Sequence, residues 1–218
     1  MREVKVKICG ITNGRDALIS CENGADMLGF VFVPESPRCL EISSVMEIAA
    51  AVRSEYPEVL KVALFRDAEP GKVKDVVRAG GFECVQLHGL ETPDYCEKLR
   101  SDLGVKVLKT FKVRDNILSN GSYMPGDYAS ADLFVFDTFH RGLSGGTGLT
   151  FDWEILSERR DIIPAPFLLA GGLVPENVEA AVKAVRPYGV DSSSGVEAYP
   201  GKKDPQKIKE FIENAKKI

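Results

Sequence analysis

The sequence predicts an α/β protein built as one closed barrel of eight β/α units, and three observations lead to this prediction. Apolar runs rich in β-branched and aromatic residues alternate with amphipathic stretches along the whole chain. Eight such apolar runs are present, and no polar linker or low-complexity segment separates them. Strands that alternate with helical patterns are typical of a parallel sheet. Eight regular units favour a single (β/α)8 barrel, the TIM barrel, over the runner-up, an open doubly wound sheet. We therefore expect residues 1–218 to form one barrel domain.

The predicted strands consist almost entirely of apolar residues. This composition is expected where helices cover one face of a sheet and a barrel core fills the other. The runs from Met27 to Val33 and from Leu133 to Phe136 are clear examples. The strands are predicted at residues 4–9, 27–33, 59–65, 83–87, 105–111, 132–137, 164–170 and 187–192.

The predicted helices begin at residues that cap helix N-termini. Thr92-Pro93 and Asp204-Pro205 each place an oxygen-bearing side chain before a proline, whose missing N–H costs nothing at the first helical position. Proline also marks the starts at Pro70 and Pro175. The fifth unit, at 116–129, contains two glycines and a proline, so we expect its helix to be short or broken. The other helices are predicted near residues 14–23, 43–55, 70–79, 92–102, 151–158, 175–185 and 204–217.

The composition excludes several classes of function. With 44% hydrophobic and 28% charged residues among 218, the chain is an ordinary globular protein that can bury a sizeable core. Its net charge of -4 offers nothing that attracts a nucleic acid or an acidic membrane. No apolar run approaches the roughly 18 residues needed to span a bilayer. The charged start Met1-Arg2-Glu3 lacks a signal-peptide core. We expect a cytoplasmic protein with neither nucleic-acid nor membrane partners.

The five cysteines and two histidines form no recognisable metal or disulfide pattern. An odd number of cysteines without CxxC spacing argues against a disulfide framework and against a structural zinc site. Cys84 and His88 are four residues apart, but along a strand this spacing separates two residues by roughly 13 Å. We therefore expect no metal site.

The first strand ends at a chemically reactive side chain, Cys9. In a parallel α/β barrel the carboxyl ends of all strands meet at one mouth, where ligands bind and chemistry takes place. Cys9 is therefore the first candidate for catalysis. The alternative is a buried cysteine that only fills the barrel mouth, because cysteine is among the most often buried residues.

Three glycine- and serine-rich loops follow the last three strands, and together they predict a phosphate site. Glycine lets backbone N–H groups approach an anion closely, and serine hydroxyls add donors. Barrels of this kind often bind phosphate after strands seven and eight. The alternative is that these glycines only make tight turns. The candidate phosphate ligands are Gly146, Gly171, Gly172, Ser193, Ser194 and Gly195.

Three further side chains, at the end of a predicted strand or in the loop after one, are candidates for substrate binding or catalysis. Arg38 could clamp a carboxylate with two hydrogen bonds, or it could form a surface ion pair with Glu35 or Glu41. Asp137 follows four apolar residues, so its acid form is favoured and it could act as a general acid; the alternative is that it caps the next turn. His88 could bind substrate or satisfy the loop backbone.

Short motifs along the whole chain closely resemble, in order, those of the phosphoribosylanthranilate isomerases. The matching stretches are Lys7-Ile8-Cys9-Gly10-Ile11-Thr12, Gly29-Phe30-Val31-Phe32, Ser36-Pro37-Arg38, Gln86-Leu87-His88-Gly89, Phe136-Asp137-Thr138, Gly145-Gly146-Thr147-Gly148, Phe151-Asp152-Trp153, Ala170-Gly171-Gly172-Leu173 and Asp191-Ser192-Ser193-Ser194-Gly195-Val196-Glu197.

The resemblance implies an Amadori rearrangement in tryptophan biosynthesis, without cofactor or metal, on a small phosphoribosyl substrate. It implies that Cys9 is the general base, that Asp137 is the general acid and that Arg38 binds the anthranilate carboxylate. The loops at 171–172 and 193–195 would then bind the phosphate. We expect Lys7, which points the same way as Cys9, to lower the pKa of that thiol. The segment 139–143 is interpreted as a lid.

Other functions of the same fold remain as alternatives. A metal-dependent epimerase would need more histidines than the two present. An indole-forming synthase would need catalytic lysines and glutamates at strand ends, and Lys109 is the one lysine placed near the mouth. A phospholigand-binding protein without activity would lack an acid or a base, whereas Cys9 and Asp137 are both present. The sequence leaves open whether the chain is a monomer or a homodimer.

Overall fold

Among the residues that the structure describes, eight parallel strands form a closed barrel. The computed structural model describes residues 3–114, 117–119, 121–138, 154–158, 160 and 163–217. The barrel strands are β1 (Lys5–Cys9), β2 (Met27–Val31), β3 (Leu60–Phe65), β4 (Cys84–Leu87), β5 (Lys106–Arg114), β7 (Leu133–Thr138), β8 (Phe167–Ala170) and β9 (Gly189–Ser192). Three short strands lie outside the ring: β6 (Ile117–Ser119), β10 (Glu197–Tyr199) and β11 (Lys202–Lys203).

Two strand pairings distinguish the closed barrel from an open sheet. The strands follow one another from β1 to β5 and then through β7, β8 and β9 back to β1, where Lys7 is in register with Asp191. The β4–β5 pairing aligns Gln86 with Leu108 and completes the ring. An open doubly wound sheet would leave two edge strands unpaired, so the predicted barrel is confirmed and its runner-up is wrong.

The helices lie outside the barrel, and their caps agree with two of the predicted starts. The side chain of Thr92 accepts a hydrogen bond from the Tyr95 backbone, and that of Asp204 accepts from the backbone of Gln206. The predicted start at Pro175 is wrong, because the Asn177 side chain closes a turn onto Val174 first. The helices are α1 (Gly14–Glu22), α2 (Ile42–Glu55), α3 (Pro70–Gly80), α4 (Pro93–Leu103), α5 (Glu154–Glu158), α6 (Val178–Val185) and α7 (Pro205–Lys216).

The fifth unit contains no α-helix among its described residues, in agreement with its glycines and proline. After the barrel part of β5 the chain folds back as the antiparallel strand β6, with Lys112 opposite Ser119. A single 3-10 turn at Pro125–Asp127 then leads to β7. The hairpin of β5 and β6 was not predicted.

Side chains alternate along each barrel strand between an outer and an inner core. Val6 and Ile8 of β1 belong to the large cluster that packs against the helices, whereas Lys7 and Cys9 face the barrel interior. No helix among the described residues is long and apolar enough to cross a membrane. The inner core below the mouth consists of Met27, Val62, Cys84, Leu108, Leu133, Val135, Leu168 and Ala170.

A small antiparallel hairpin, β10 with β11, follows the last barrel strand and was not predicted. It pairs Glu197 with Lys203 and Tyr199 with Lys202. The backbone N–H of Lys203 donates to the Asp16 carboxylate of α1 at 2.9 Å. The hairpin is therefore tied to the first helix, and it brings two charged side chains, Glu197 and Lys203, to the loops around the mouth.

Candidate active site

The Cys9 thiol lies at the end of β1 beside a buried ion pair. Lys7, two residues earlier on the same face, is fully buried and donates to both carboxylate oxygens of Asp191 at 3.0 Å. The positive charge of Lys7 also acts on the neighbouring Cys9 thiol and favours its thiolate form. Gly29 of β2 makes room for this arrangement: a Cβ there would lie 2.7 Å from Sγ of Cys9 and 3.1 Å from Nζ of Lys7. The thiol is thus held next to an ammonium group.

Burial dominates the acidity of this thiol. Loss of solvation raises the pKa of Cys9 above its ordinary value, and the charge of Asp191 acts in the same direction. The ammonium groups of Lys7 and Lys203 lower it, but by less. Lys7 thus acts to lower the pKa of Cys9, as predicted. Burial and Asp191 outweigh it, however, so the expected overall lowering of this pKa is wrong.

Asp137 and His88 approach each other at the mouth from β7 and from the end of β4. Nε2 of His88 lies 3.3 Å from Oδ2 of Asp137, whose side chain is 25% exposed. Nδ1 of His88 is buried and has no hydrogen-bond partner among the described residues. The alternative that the His88 side chain satisfies the loop backbone is therefore wrong within that part of the chain. β9 and β8 separate β1 from β7, so Cys9 and Asp137 face the mouth from different sides.

Arg38 lies in the loop after β2 and forms a two-point ion pair with Glu197. Its Nε and Nη2 donate to the two carboxylate oxygens at 2.7 and 2.6 Å. The predicted alternative, a pair with Glu35 or Glu41, is wrong, since Glu35 bonds Arg66 instead. The Arg38 side chain passes over Gly10, where a Cβ would collide with Cδ of the arginine.

The predicted phosphate loops after β8 and β9 are neighbours because those strands pair. Gly171 and Gly172 have φ values of 87° and 67°, in the left-handed region that favours glycine. The hydroxyl of Ser192 donates to the carbonyl of Leu173 at 2.8 Å and ties the two loops together. Ser193, Ser194 and Gly195 follow directly, with Ser194 exposed. Gly146 with its loop at 145–148, and the predicted lid at 139–143, lie outside the described residues.

Three charged residues of the site escaped prediction from the sequence: Asp191, Glu197 and Lys203. All three are buried, and each forms an ion pair with a partner near the mouth. For Asp191 the sequence did contain a signal. A charged residue at an inward-facing position of an apolar strand is buried, and a buried charge needs a partner. Glu197 and Lys203 follow the last barrel strand, in a segment whose sequence has no periodicity to indicate which way a side chain points.

Lys109 does not belong to the mouth. Its side chain leaves β5 on the face opposite Leu108 and Thr110, and Nζ lies 2.6 Å from the Glu91 carboxylate. The synthase alternative therefore loses the lysine on which it depended. The described residues contain no cluster of metal-binding side chains either.

Comparisons with known proteins agree over nearly the full length of the chain. Residues 6–214 match the sequence profile of the family described as N-(5'phosphoribosyl)anthranilate (PRA) isomerase. An N-(5'-phosphoribosyl)anthranilate isomerase from Trichlorobacter lovleyi is 45% identical over 213 residues, which cover 98% of this chain and 98% of that protein. The crystal structure of the phosphoribosyl anthranilate isomerase from Thermotoga maritima superposes with a TM-score of 0.87 at 41% identity, covering 99% and 100% of the two chains.

A second solved structure of such an isomerase contains a bound ligand. It superposes with a TM-score of 0.84 at 40% identity, covering 99% of this chain and 100% of that one. That protein was crystallised in complex with reduced 1-(o-carboxyphenylamino)-1-deoxyribulose 5-phosphate.

Proposed function

This chain belongs to the N-(5'-phosphoribosyl)anthranilate isomerase family, and we propose that the residues at its barrel mouth carry out the reaction of that family. The chain is an intramolecular aldose–ketose isomerase. It catalyses the Amadori rearrangement of N-(5-phosphoribosyl)anthranilate to 1-(2-carboxyphenylamino)-1-deoxyribulose 5-phosphate in tryptophan biosynthesis.

In the first step Asp137 acts as the general acid. Its carboxyl proton goes to the ring oxygen of the ribose, the bond between that oxygen and C1 breaks, and the anthranilate nitrogen forms a Schiff base with C1. The contact with His88 supports this role, because a proton donor must be oriented toward the leaving oxygen. The released oxygen stays on the sugar as its 4-hydroxyl.

In the second step Cys9 acts as the general base. The positive Schiff base acidifies the C2 proton, and the Cys9 thiolate removes it to leave an enolamine. The Asp137 carboxylate then takes the enol proton and the Cys9 thiol returns its proton to C1, which gives the ketone and restores both groups to their starting forms. Lys7 stabilises the thiolate, since its positive charge acts to lower the pKa of the thiol. Proton transfers to and from the substrate drive both steps, so the proposed mechanism uses neither metal nor cofactor.

Two anionic groups of the substrate supply anchors at opposite ends of the ribose. Arg38 binds the anthranilate carboxylate, and the small apolar cluster of Cys9, Val31, Val33 and Leu64 at the same side of the mouth suits an aromatic ring. His88 also lies within reach of a ligand in the mouth. The phosphate ligands proposed are Gly146, Gly171, Gly172, Ser193, Ser194 and Gly195.

The observation that carries the proposal is the convergence of Cys9 and Asp137 on one mouth from β1 and β7. A base and an acid on different sides of the ribose suit two successive proton transfers at different sugar atoms.

We further propose one catalytic domain over residues 1–218, present in the cytoplasm. Its five free cysteines suit a reducing compartment. The chain acts as a monomer or homodimer, which sedimentation equilibrium distinguishes.

The test follows the fluorescence of phosphoribosylanthranilate, generated in situ, after addition of the purified protein. The wild type is compared with Asp137→Asn and with Asp102→Asn, a matched change in a helix aspartate that pairs with Lys74. Rapid decay in the wild type and in Asp102→Asn, with almost none in Asp137→Asn, supports the activity and its acid. Decay in all three assigns the acid to another residue. Absence of decay in all three contradicts the activity and favours a protein that only binds a phospholigand.

A further inference from the structure

Glu197 is a buried carboxylate that receives hydrogen bonds from three other residues. Its side chain is 4% exposed. Nε and Nη2 of Arg38 donate at 2.7 and 2.6 Å, Nζ of Lys203 donates at 3.1 Å, and the backbone N–H of Gly201 donates at 3.3 Å. The donors come from the loop after β2 and from the hairpin of β10 and β11, which sequence separates widely. Glu197 is thus the point at which these two parts of the mouth are joined.

The direction of the ion pair leaves part of the Arg38 guanidinium free. A guanidinium carries five N–H groups, and Glu197 occupies the side that presents Nε and one hydrogen of Nη2. The opposite end, with Nη1 and the second hydrogen of Nη2, can still bind another carboxylate at two points. The Arg38 side chain is 20% exposed, so this end is within reach of a ligand.

Lys203 supplies the charge that makes this arrangement attractive to an anion. It is fully buried and bonds both Glu197 and the carbonyl oxygen of Ser193, at 3.1 and 3.0 Å. One carboxylate between two cations leaves a net charge of +1 at neutral pH, whereas an isolated pair of Arg38 and Glu197 would be neutral. The backbone of Lys203 is itself held by Asp16, so the trio is fixed to α1.

We propose that Glu197 is a positioning residue for substrate binding: it fixes Arg38 with its outer N–H pair toward the mouth, where that pair binds the aryl carboxylate. This inference rests on the proposed function, since it assigns Glu197 a part in binding the same substrate. Glu197 does not touch the reacting atoms and acts through Arg38. Its effect is therefore confined to the carboxylate end of the substrate.

The test compares steady-state constants of the wild type, Glu197→Gln and Glu83→Gln. Glutamine has the shape of glutamate but lacks the charge that holds both cations. We expect KM for phosphoribosylanthranilate to rise about tenfold in Glu197→Gln, while kcat changes less than about threefold. Glu83→Gln is the matched control, because Glu83 pairs with the buried Lys61 at the amino end of the strands, away from the mouth. Its KM should equal that of the wild type.

Two further measurements separate positioning from a structural role. In an Arg38→Met background, Glu197→Gln should raise KM no further, because both changes remove the same contact. Binding of ribose 5-phosphate, which has the phosphate but no aryl carboxylate, should be equal in the wild type and in Glu197→Gln. Glu197→Asp, which keeps the charge, should recover part of the affinity.

The outcomes are distinct. An unchanged KM in a folded Glu197→Gln overturns the inference while the wild type still turns over. Equal weakening of ribose 5-phosphate and substrate also overturns it, because Glu197 would then act through Lys203 and the Ser193 loop. If Glu197→Gln does not fold, Glu197→Asp decides through the same KM comparison. A wild type without turnover contradicts the proposed function instead.

Discussion

Nε2 of His88 lies 3.3 Å from Oδ2 of Asp137, and this contact joins the ends of two barrel strands, β4 and β7, that β5 separates. The contact places the imidazole against one of the two Asp137 carboxyl oxygens. The Asp137 carboxyl therefore has a fixed neighbour on one side and leaves its other oxygen for the substrate.

We expect His88→Ala to lower kcat by about 10–100-fold with a smaller change in KM, because Asp137 loses the group that orients its proton. His88→Gln should retain more activity, since its amide nitrogen can replace Nε2. Both constants come from the fluorescence assay. A higher KM with unchanged kcat would mean that His88 contacts substrate without acting on Asp137.

Cys9→Ala should lower turnover by 100-fold or more while substrate still binds, because general base catalysis contributes about that much. Single-turnover decay and equilibrium binding measure the two effects. The matched control is Cys84→Ala, since Cys84 is buried in the inner core below the mouth. This control should lose some stability and keep its rate. More than about a tenth of wild-type turnover in Cys9→Ala would exclude Cys9 as the sole base.

The pH dependence of the rate follows from the raised pKa of Cys9. Because the base is the thiolate, the rate of the C2 proton abstraction, which follows the acid step, should rise with pH and level off above about 8.5, the ordinary pKa of cysteine. In the double variant Lys7→Met/Asp191→Asn this rise should move to higher pH. Lys7 lowers the pKa of Cys9 by more than Asp191 raises it. Removing both charges should therefore raise that pKa further. The double change also avoids leaving one buried charge unpaired. A rise that ends below pH 7 would assign the base to another group.

Most of the fold could be predicted because strand identity follows from local apolar runs. The predicted strand at 164–170 is shorter in the structure, Phe167–Ala170, since Pro164 and Pro166 lack the N–H that a ladder needs. The hairpin of β10 and β11 could not be predicted, because its two-residue strand has no periodicity. Its position depends on Asp16, 187 residues away from Lys203.

Site residues were predictable where they lie at the end of a strand or in the loop directly after it. Cys9 and Asp137 do so, and both lie at the mouth. Glu197 lies 159 residues from Arg38 in sequence, and nothing local indicates that the two meet. The net pKa shift of Cys9 could not be predicted either, because it depends on burial and on Asp191 at the far end of the chain.

Gly10→Ala should weaken substrate binding and lower stability, even though position 10 bears no functional group. Gly10 has a φ of 74°, and a Cβ there would collide with Cδ of Arg38 and lie 2.8 Å from Oγ of Ser193. We expect a KM at least tenfold higher and a loss of about 1–2 kcal/mol of stability from the left-handed backbone alone. Gly104→Ala is the control: its φ is 66°, but a Cβ there would meet no atom within 4 Å. A normal KM in Gly10→Ala would show that Arg38 adjusts without loss.

The buried pair of Lys109 and Glu91 holds the loop that carries His88, and breaking it should cost more than breaking a half-exposed pair. The Lys109 side chain is fully buried and that of Glu91 is 2% exposed; Glu91 also accepts the backbone N–H groups of Gly89 and Asp67. Lys109→Met leaves this carboxylate buried without its cation, so we expect a loss of about 3–5 kcal/mol in urea unfolding and a lower kcat.

Lys61→Met is the matched control, because Lys61 is equally buried but its partner Glu83 is 43% exposed and stays hydrated. The control should lose less than half as much stability, with kcat unchanged. Equal losses in the two variants would mean that packing of the lysine stem, rather than the unpaired carboxylate, determines the cost.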